Sequence, residues 1–251
     1  MATLALMFDN RLNNRGGGGE LGQARPAAPT GLDGVTRGMA GAKGWAAGLA
    51  VPEAIEPLLP GGLEQGGVTG LDGDRYLAAS LVGAAVSQTG SAALVGVDDL
   101  GIAAVVAAGG APSRLVVVRA DASNWLRAVE VLVGAVEVVL VRPPVPVADA
   151  VARRITARLR RTAPVSTALL VAGGGFPAQV RLRVAGARWS GLEIGHGLLE
   201  ARRVSVVAEY RVGGSRTVEV YLPGLDGSVQ PVAPRESLPQ DELAVRRSRA
   251  A

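Results

Sequence analysis

One turn in the chain has the residue types and the setting of a phosphate-binding loop. A strand-like run leads into the glycine-bearing sequence GLDGDR at residues 70–75, and an apolar helix and a second apolar strand follow it. A working loop of this kind ends in Gly-Lys-Ser/Thr, because backbone amides cradle the phosphates, the lysine reaches the outer phosphates and the hydroxyl holds magnesium. Here Arg75 and Tyr76 follow two aspartates, whose negative charges would repel a triphosphate. We therefore expect no catalytic residues and a degenerate phosphate loop that does not function, formed by Gly70, Asp72, Gly73, Asp74 and Arg75.

Composition excludes several other kinds of site. The 251 residues include no cysteine, which excludes disulfides and thiolate metal sites. One histidine, His196, leaves no histidine cluster for zinc and no obvious base for a catalytic triad, and we expect it to lie in a glycine-rich turn. The single lysine, Lys43, is distant in sequence from the phosphate-like loop. We predict neither a metal nor a cofactor.

The formal charge of +4 comes almost entirely from arginine, which supplies 25 of the 26 basic residues. Arginine suits phosphate and protein interfaces, although the codon supply of a GC-rich genome also explains its abundance. The residues that we expect to contact DNA or a protein partner are Arg153, Arg154, Arg158, Arg160 and Arg161, together with Arg246, Arg247 and Arg249 near the C-terminus. At 100° per residue, Arg154, Arg158 and Arg161 are expected to line one stripe of the predicted helix, beside its apolar stripe. The alternatives are a solvated helix face and a frayed tail.

Three regions of the chain differ in character. Residues 1–50 are rich in glycine and proline, so we expect a flexible N-terminal arm. Residues 51–228 carry strand and helix patterns and form the expected α/β domain, whereas residues 229–251 form an expected flexible tail. No apolar run reaches the roughly 18 residues of a membrane-spanning helix, and the N-terminus lacks the features of a signal peptide. We therefore expect no membrane contact and a cytoplasmic location.

Within the α/β domain, strand and helix patterns alternate. Strands are predicted over residues 68–71, 92–97, 114–118, 136–141 and 165–171, and helices over residues 75–88, 98–108, 121–134 and 147–161. Apolar and polar residues alternate over residues 179–184, 204–212 and 217–222, which is typical of antiparallel strands with one wet face. The pattern predicts an α/β fold with a mostly parallel central sheet flanked by helices, and with antiparallel strands toward the C-terminus.

Three groups of residues carry more specific expectations. The RLVVV run at residues 114–118 has the β-branched content of a buried parallel strand. Asp98 and Asp99 are expected to cap the helix that follows them, in preference to binding a metal or activating water. Trp125 and Trp189 are expected to pack beneath the sheet rather than to stack on bases.

The order and spacing of several segments resemble the ATPase core of RecA. The segments are PGGL at 60–63, VGVDDLG at 95–101, SRLVVVRADASNW at 113–125, VEVVLVRPP at 136–144, RITARLR at 154–160, RWSGLEIGHGLLEARRVSV at 188–206 and YLPGLDG at 221–227. More closely, they resemble the RecA-related accessory proteins of bacterial damage-induced mutagenesis, the ImuA and ImuA-prime group in its actinobacterial form. The resemblance covers residues 55–228.

The resemblance implies a RecA-like core and a non-catalytic role in translesion DNA synthesis within the SOS response. ImuA-prime proteins work with ImuB, which is itself similar to a polymerase without active-site carboxylates, and with an error-prone polymerase. The resemblance therefore implies an ImuB-like partner. Non-specific DNA binding and self-association are further contacts that we expect from it.

The resemblance also assigns positions to the parts of a RecA-type ATPase site. The lysine of the phosphate loop falls near Arg75, and the water-activating glutamate falls near Asp98. Arg142 stands where a magnesium-side aspartate is expected. The DNA-binding loops are reduced to RPPVPVAD at residues 142–149 and AGGGFPAQ at residues 172–179.

Two other functions remain open from the sequence. One is a weak nucleotide-binding RecA-like ATPase that uses Asp98 and an arginine in place of the loop lysine. The other is a cell-division inhibitor of the SulA type, which would engage a tubulin-like partner and need no DNA.

Overall fold

A nine-stranded sheet organises the described part of the protein. The structure is a computed structural model that describes residues 48–87, 90–161, 165–193 and 196–232. The expectations on Lys43 and on residues 1–47 of the N-terminal arm, and on Arg246, Arg247 and Arg249 in the C-terminal tail, lie outside the described residues. The boundary expected at residue 50 is wrong by a few residues, because Leu49 pairs with Leu63 of the domain in an isolated antiparallel bridge. Within the described ranges, no helix is long and apolar enough to cross a membrane.

Helices and strands alternate through the first two thirds of the described chain. The α-helices are α1 (Arg75–Ala85), α2 (Ile102–Ala107), α3 (Trp125–Leu132) and α4 (Asp149–Arg160), and short 3-10 helices cover Glu53–Leu58 and Pro112–Arg114. The strands are β1 (Val68–Asp72), β2 (Ala92–Val95), β3 (Leu115–Val118), β4 (Val138–Val141), β5 (Ala168–Ala172), β6 (Val180–Trp189), β7 (Leu192–Glu193), β8 (His196–Gly197), β9 (Arg202–Tyr210), β10 (Ser215–Tyr221) and β11 (Gln230–Pro231). The expected elements are therefore present, with ends that differ by a few residues.

The strand order of the main sheet is β11-β10-β9-β6-β1-β5-β4-β2-β3. Strands β1 to β5 pair in parallel, and β6 pairs in parallel with β1. From β6 onward the pairing changes, because β9 is antiparallel to β6 and β10 and β11 continue the antiparallel pattern. The expected mostly parallel α/β sheet with antiparallel C-terminal strands is confirmed.

Helices cover both faces of the parallel strands. On β2, Ala92 and Leu94 contact the core that contains α1 and α2, whereas Ala93 and Val95 contact the core that contains α3 and α4. All residues of β2, β4 and β5 are buried. These strands are uninterrupted apolar runs because neither face meets water.

The RLVVV run forms a strand as predicted, but the prediction that this strand is buried is wrong. The run forms β3, but β3 is at the edge of the sheet and pairs only with β2. Val116 and Val117 point to opposite faces and are 45% and 55% exposed. Neither face of this edge strand is fully covered by helices, so its β-branched sequence reflects strand propensity rather than burial.

The tryptophans, the histidine and the C-terminal boundary of the domain agree only in part with the sequence-based predictions. Trp125 begins α3 and is buried against the sheet, whereas Trp189 is half-buried at the end of β6. His196 lies in β8, which pairs with β7 in a separate two-stranded sheet. Strand β11 pairs with β10 and lies just beyond residue 228, the boundary expected for the domain.

Candidate functional site

The turn between β1 and α1 consists of two residues, Gly73 and Asp74. Gly73 has a φ of 76°, a left-handed conformation that favours glycine. In a working phosphate loop, four residues separate the first glycine from the glycine before the lysine. Here only two residues separate Gly70 from Gly73. The turn is therefore too short to wrap around a phosphate in the usual way.

Asp74 occupies the amino-terminal end of α1. Its Oδ1 accepts a hydrogen bond of 2.9 Å from the backbone N–H of Leu77, so Asp74 is the N-cap of the helix. The free N–H groups and the positive end of the helix dipole are what a phosphate would use at this place. A carboxylate of the chain itself already takes that position.

A mostly buried ion pair balances the charge of Asp74. Arg202, the first residue of β9, donates from Nη2 to Asp74 Oδ2, and the two side chains are 13% and 12% exposed. The backbone N–H of Arg202 donates to the carbonyl oxygen of Pro223 at 2.9 Å, which fixes the start of the strand. Arg202 Nε is buried and has no hydrogen-bond partner among the described residues.

Asp72 is balanced in the same way by Arg181 of β6. Arg181 Nη1 lies 2.9 Å from Asp72 Oδ1, and its two terminal nitrogens also donate to the carbonyl oxygens of Gly173 and Phe176. A Cβ on Gly70 would lie 3.0 Å from Arg181 Nη1, so glycine makes room for the guanidinium. Arg181 thus ties the end of β1 to the short connection between β5 and β6.

The prediction that Asp98 and Asp99 cap α2 is wrong. Helix α2 begins at Ile102, and its N-cap is Gly101, which makes no side-chain cap hydrogen bond. Asp99 instead accepts from Arg142 Nη1 at 2.7 Å and from Arg75 Nε at 2.6 Å. These two charged donors occupy both carboxylate oxygens of Asp99. Asp99 also lies two residues before the N-cap, and its carboxylate accepts no hydrogen bond from the backbone N–H groups of α2.

The two guanidinium groups also change the acidity of Asp99. The hydrogen bond from Arg142 and then that from Arg75 hold the pKa of Asp99 below its ordinary value, because they favour the charged carboxylate. The Asp99 side chain is 39% exposed, so solvent screens part of this effect. Asp98 is exposed and makes no hydrogen bond or ion pair with the described residues.

A small cavity lies beside these ion pairs. It has a volume of about 260 Å³ and lies between the start of α1 and the carboxyl ends of β1, β4 and β5. Arg75 and Arg142 contribute to its wall, and the rest of the lining is mainly apolar, with Leu71, Leu100 and Leu140 among its residues. Open α/β sheets bind ligands at this edge, but ligand pockets usually have volumes of about 300–1,000 Å³. The cavity is small for a nucleoside triphosphate.

The expected site residues fall into two separate places. Gly70, Asp72, Gly73, Asp74 and Arg75 lie together at the β1–α1 turn. The arginines of α4 lie on the helix that packs against the other core, and of these Arg154 forms an ion pair with Glu130 of α3. The described residues contain no group of three or more histidine, aspartate or glutamate side chains that could hold a metal ion.

Sequence reasoning missed Arg181 and Arg202. Their partners Asp72 and Asp74 are 109 and 128 residues away along the chain. The one local signal is an arginine at the beginning of a strand, and many other arginines of this chain share it. Only the sheet order, which places β6 beside β1 and β9 beside β6, brings these groups together.

We predict that Asp74 and Arg202 stabilise the fold as a coupled pair. Arg202→Met or Asp74→Asn should each lower the free energy of unfolding by about 2–4 kcal/mol, because each leaves a mostly buried group without its partner. The double variant should lose clearly less than the sum of the single losses. Urea unfolding of the four proteins measures this, with Arg203→Met as the control, since Arg203 pairs with Glu219 at the surface and should matter much less. Additive losses would contradict the coupling.

We predict a pH dependence from Asp99. Because its pKa is lowered in the folded state, the ion pairs stabilise the fold above the unfolded pKa of about 3.9, and this contribution is lost as pH falls through the folded pKa. Asp99→Asn should therefore be less stable than the wild type near neutral pH, and the difference should shrink below about pH 4. Urea unfolding as a function of pH measures the difference. A gap between the two proteins that stays constant at acid pH would argue against this assignment.

Comparison with known proteins gives one family match. Residues 57–178 match the model of the MT3502 N-terminal domain. The match covers just under half of the chain and spans β1 to β5 and α1 to α4, ending just before β6. No curated protein matches the chain. The parallel half of the sheet, with the β1–α1 turn and Asp99, is thus the part that is similar to this domain.

Proposed function

We propose that the chain is a non-catalytic adaptor with a RecA-like core, which acts in damage-induced mutagenesis. It would bind an ImuB-like protein in the cytoplasm and support an error-prone polymerase during translesion DNA synthesis. The observation that carries the non-catalytic part is the position of Asp74. Its carboxylate caps α1 where a phosphate would bind, and its charge is balanced by Arg202 within the protein.

The electrostatics of the turn support a structural role. Phosphoryl transfer depends mainly on positioning and on charges that stabilise the transferred group. At the turn, Arg202 and Arg181 are each engaged by an aspartate, and Arg75 and Arg142 share Asp99. A phosphate that entered would have to displace these carboxylates, and the two-residue turn offers few backbone amides in exchange.

The mutagenesis role is supported by the resemblance of the motif order to the ImuA and ImuA-prime group. The described α/β architecture, with β1–α1 at the position of a phosphate loop, is compatible with a RecA-like core. The match to the MT3502 N-terminal domain is compatible with an actinobacterial accessory protein. An adaptor needs a stable scaffold and an outer surface for its partner, and it needs no open site at the sheet edge.

A weak nucleotide-binding activity is the second candidate. The observation that favours it is the cavity of about 260 Å³, which has Arg75 and Arg142 in its wall. Both arginines would have to leave Asp99 to reach a phosphate group. This requirement, together with the small volume, makes the adaptor the better-supported function.

The adaptor proposal predicts no ATP hydrolysis by the purified chain. Phosphate release should stay at the level of the buffer, with or without DNA, because the loop lysine and the hydroxyl that holds magnesium are absent. A steady-state phosphate-release assay measures this, with Asp98→Ala and Arg142→Ala as matched variants. Hydrolysis above background that either substitution abolishes would favour the enzyme instead.

The same proposal predicts co-purification with an ImuB-like protein from cells with damaged DNA. The affinity-tagged chain should recover this partner in stoichiometric amounts, and mass spectrometry identifies it. Recovery of a tubulin-like protein in its place would favour a cell-division inhibitor. A chain that ends at Val232 keeps β11 and every other described strand, so it tests the contribution of residues 233–251 separately.

A further inference from the structure

A groove on the outer surface separates α3 from α4. It has a volume of about 730 Å³. One wall carries the side chains of Arg154, Arg158 and Arg161, and the opposite wall carries Glu130 and Val131. The groove lies on the face of the sheet where α3 and α4 pack, and it shares no lining residue with the cavity at the β1–α1 turn.

The basic wall follows from the periodicity of α4. Because successive residues turn by about 100°, Arg154, Arg158 and Arg161 lie within about 60° of one another. Arg153 and Arg160 lie on a second stripe, roughly 120° from the first, and they do not line the groove. The five arginines that the sequence groups together therefore divide between two sides of one helix.

Most of the positive charge in the groove is unbalanced. Arg154 Nη2 lies 2.5 Å from Glu130 Oε1, so one arginine is paired across the groove. The guanidinium groups of Arg158 and Arg161 form no ion pair with the described residues, and both side chains are exposed. This differs from the β1–α1 turn, where the arginines described above are engaged by aspartates.

The opposite wall disfavours a nucleic-acid backbone. A continuous phosphate backbone would bring charge against Glu130 and against the carboxyl-terminal end of α3, which is the negative end of the helix dipole, whereas a peptide can place its acidic side chains on the side of Arg158 and Arg161 alone. Val131 is 63% exposed and offers an apolar contact that a phosphate backbone does not use. A protein segment with both acidic and apolar side chains matches the two walls better.

We propose that the α3–α4 groove docks an acidic, apolar-bearing segment of a partner protein. Acidic side chains of the segment pair with Arg158 and Arg161, and an apolar side chain covers Val131. Amphipathic segments bind in surface grooves of other proteins through anchors on one face of the segment. The inference rests on the proposed adaptor function for the identity of the partner, whereas the chemistry of the segment follows from the groove itself.

The first test uses a synthetic probe and the full chain. The probe is a fluorescein-labelled peptide of about 20 residues, with glutamates on one helical face and leucines on the other. Arg158→Ala/Arg161→Ala should weaken its binding about tenfold, as measured by fluorescence anisotropy. Arg153→Ala/Arg160→Ala removes the same charge from the same helix and should change the affinity less than about twofold. Equal losses for the two pairs would overturn the inference, because net charge alone would then explain them.

A second experiment tests whether the groove binds a protein segment or a nucleic acid. Val131→Ser should weaken the peptide about threefold and leave the affinity for duplex DNA unchanged, because it removes apolar surface without changing charge. Val106→Ser, on the exposed side of α2, is the matched control and should affect neither probe. If Arg158→Ala/Arg161→Ala weakened duplex DNA but not the peptide, the groove would be a nucleic-acid site and the inference would be wrong.

Capture of the ImuB-like protein distinguishes this inference from the adaptor proposal. If the wild type captures that protein and the Arg158→Ala/Arg161→Ala variant loses it, both are supported. Capture by both double variants at the wild-type level would overturn the groove as the docking site and leave the adaptor proposal standing. If the wild type does not capture it while the peptide results hold, the adaptor proposal fails and the chemistry of the groove stands.

Discussion

The pairing of Asp74 with Arg202 is the interaction on which the arrangement of the sheet edge depends. An aspartate at the start of a helix is favourable for the helix, but here it is mostly buried, and a buried charge needs a partner. The partner comes from β9, which is separated from β1 by β6 in the sheet. The same logic connects Asp72 to Arg181 of β6. The charges of Asp72 and Asp74 are therefore balanced by residues of β6 and β9, which lie beyond the parallel strands β1 to β5 in the chain.

These ion pairs join the two halves of the sheet. Asp72 and Asp74 lie within the segment that matches the MT3502 N-terminal domain, whereas Arg181 and Arg202 lie beyond its end at residue 178. Hydrogen bonds between β1 and β6 provide the backbone connection, and the side-chain pairs add a connection specific to these residues. We infer that the antiparallel strands and the β1–α1 turn form one structural unit.

The sequence predicts those parts of the fold that depend on local patterns. The alternation of strands and helices follows from periodicity, and the degenerate turn follows from residue types within six positions. The edge position of β3 could not be predicted, because its β-branched sequence fits a buried strand equally well and only the strand order leaves Val116 and Val117 exposed. Asp99 was misassigned for a similar reason, since its partners Arg75 and Arg142 are distant in sequence.

The positions of Arg181 and Arg202 change the interpretation of the β1–α1 turn. The two aspartates of the turn were expected to repel a triphosphate, but the structure balances each with an arginine. The argument against phosphate binding is therefore not charge repulsion. The amino-terminal end of α1 is already capped by Asp74, and the nearby arginines are already paired with aspartates. The arginine stripe of α4 was correctly placed on one face by periodicity, but its opposite wall belongs to α3 and required the tertiary structure.

In the part of the chain that the structure describes, the arginines at the sheet edge are paired with aspartates, whereas two arginines on the outer surface of α4 are not. At the sheet edge, four arginines meet three aspartates within the protein, so little charge is left to attract a ligand. On α4, Arg158 and Arg161 have no such partner among the described residues, and they face a concave surface beside an exposed valine. Paired charges constrain the fold, whereas unpaired charges beside apolar surface are available to an incoming molecule. The recognition surface of this chain is therefore expected on the outer helices rather than at the carboxyl edge of the strands.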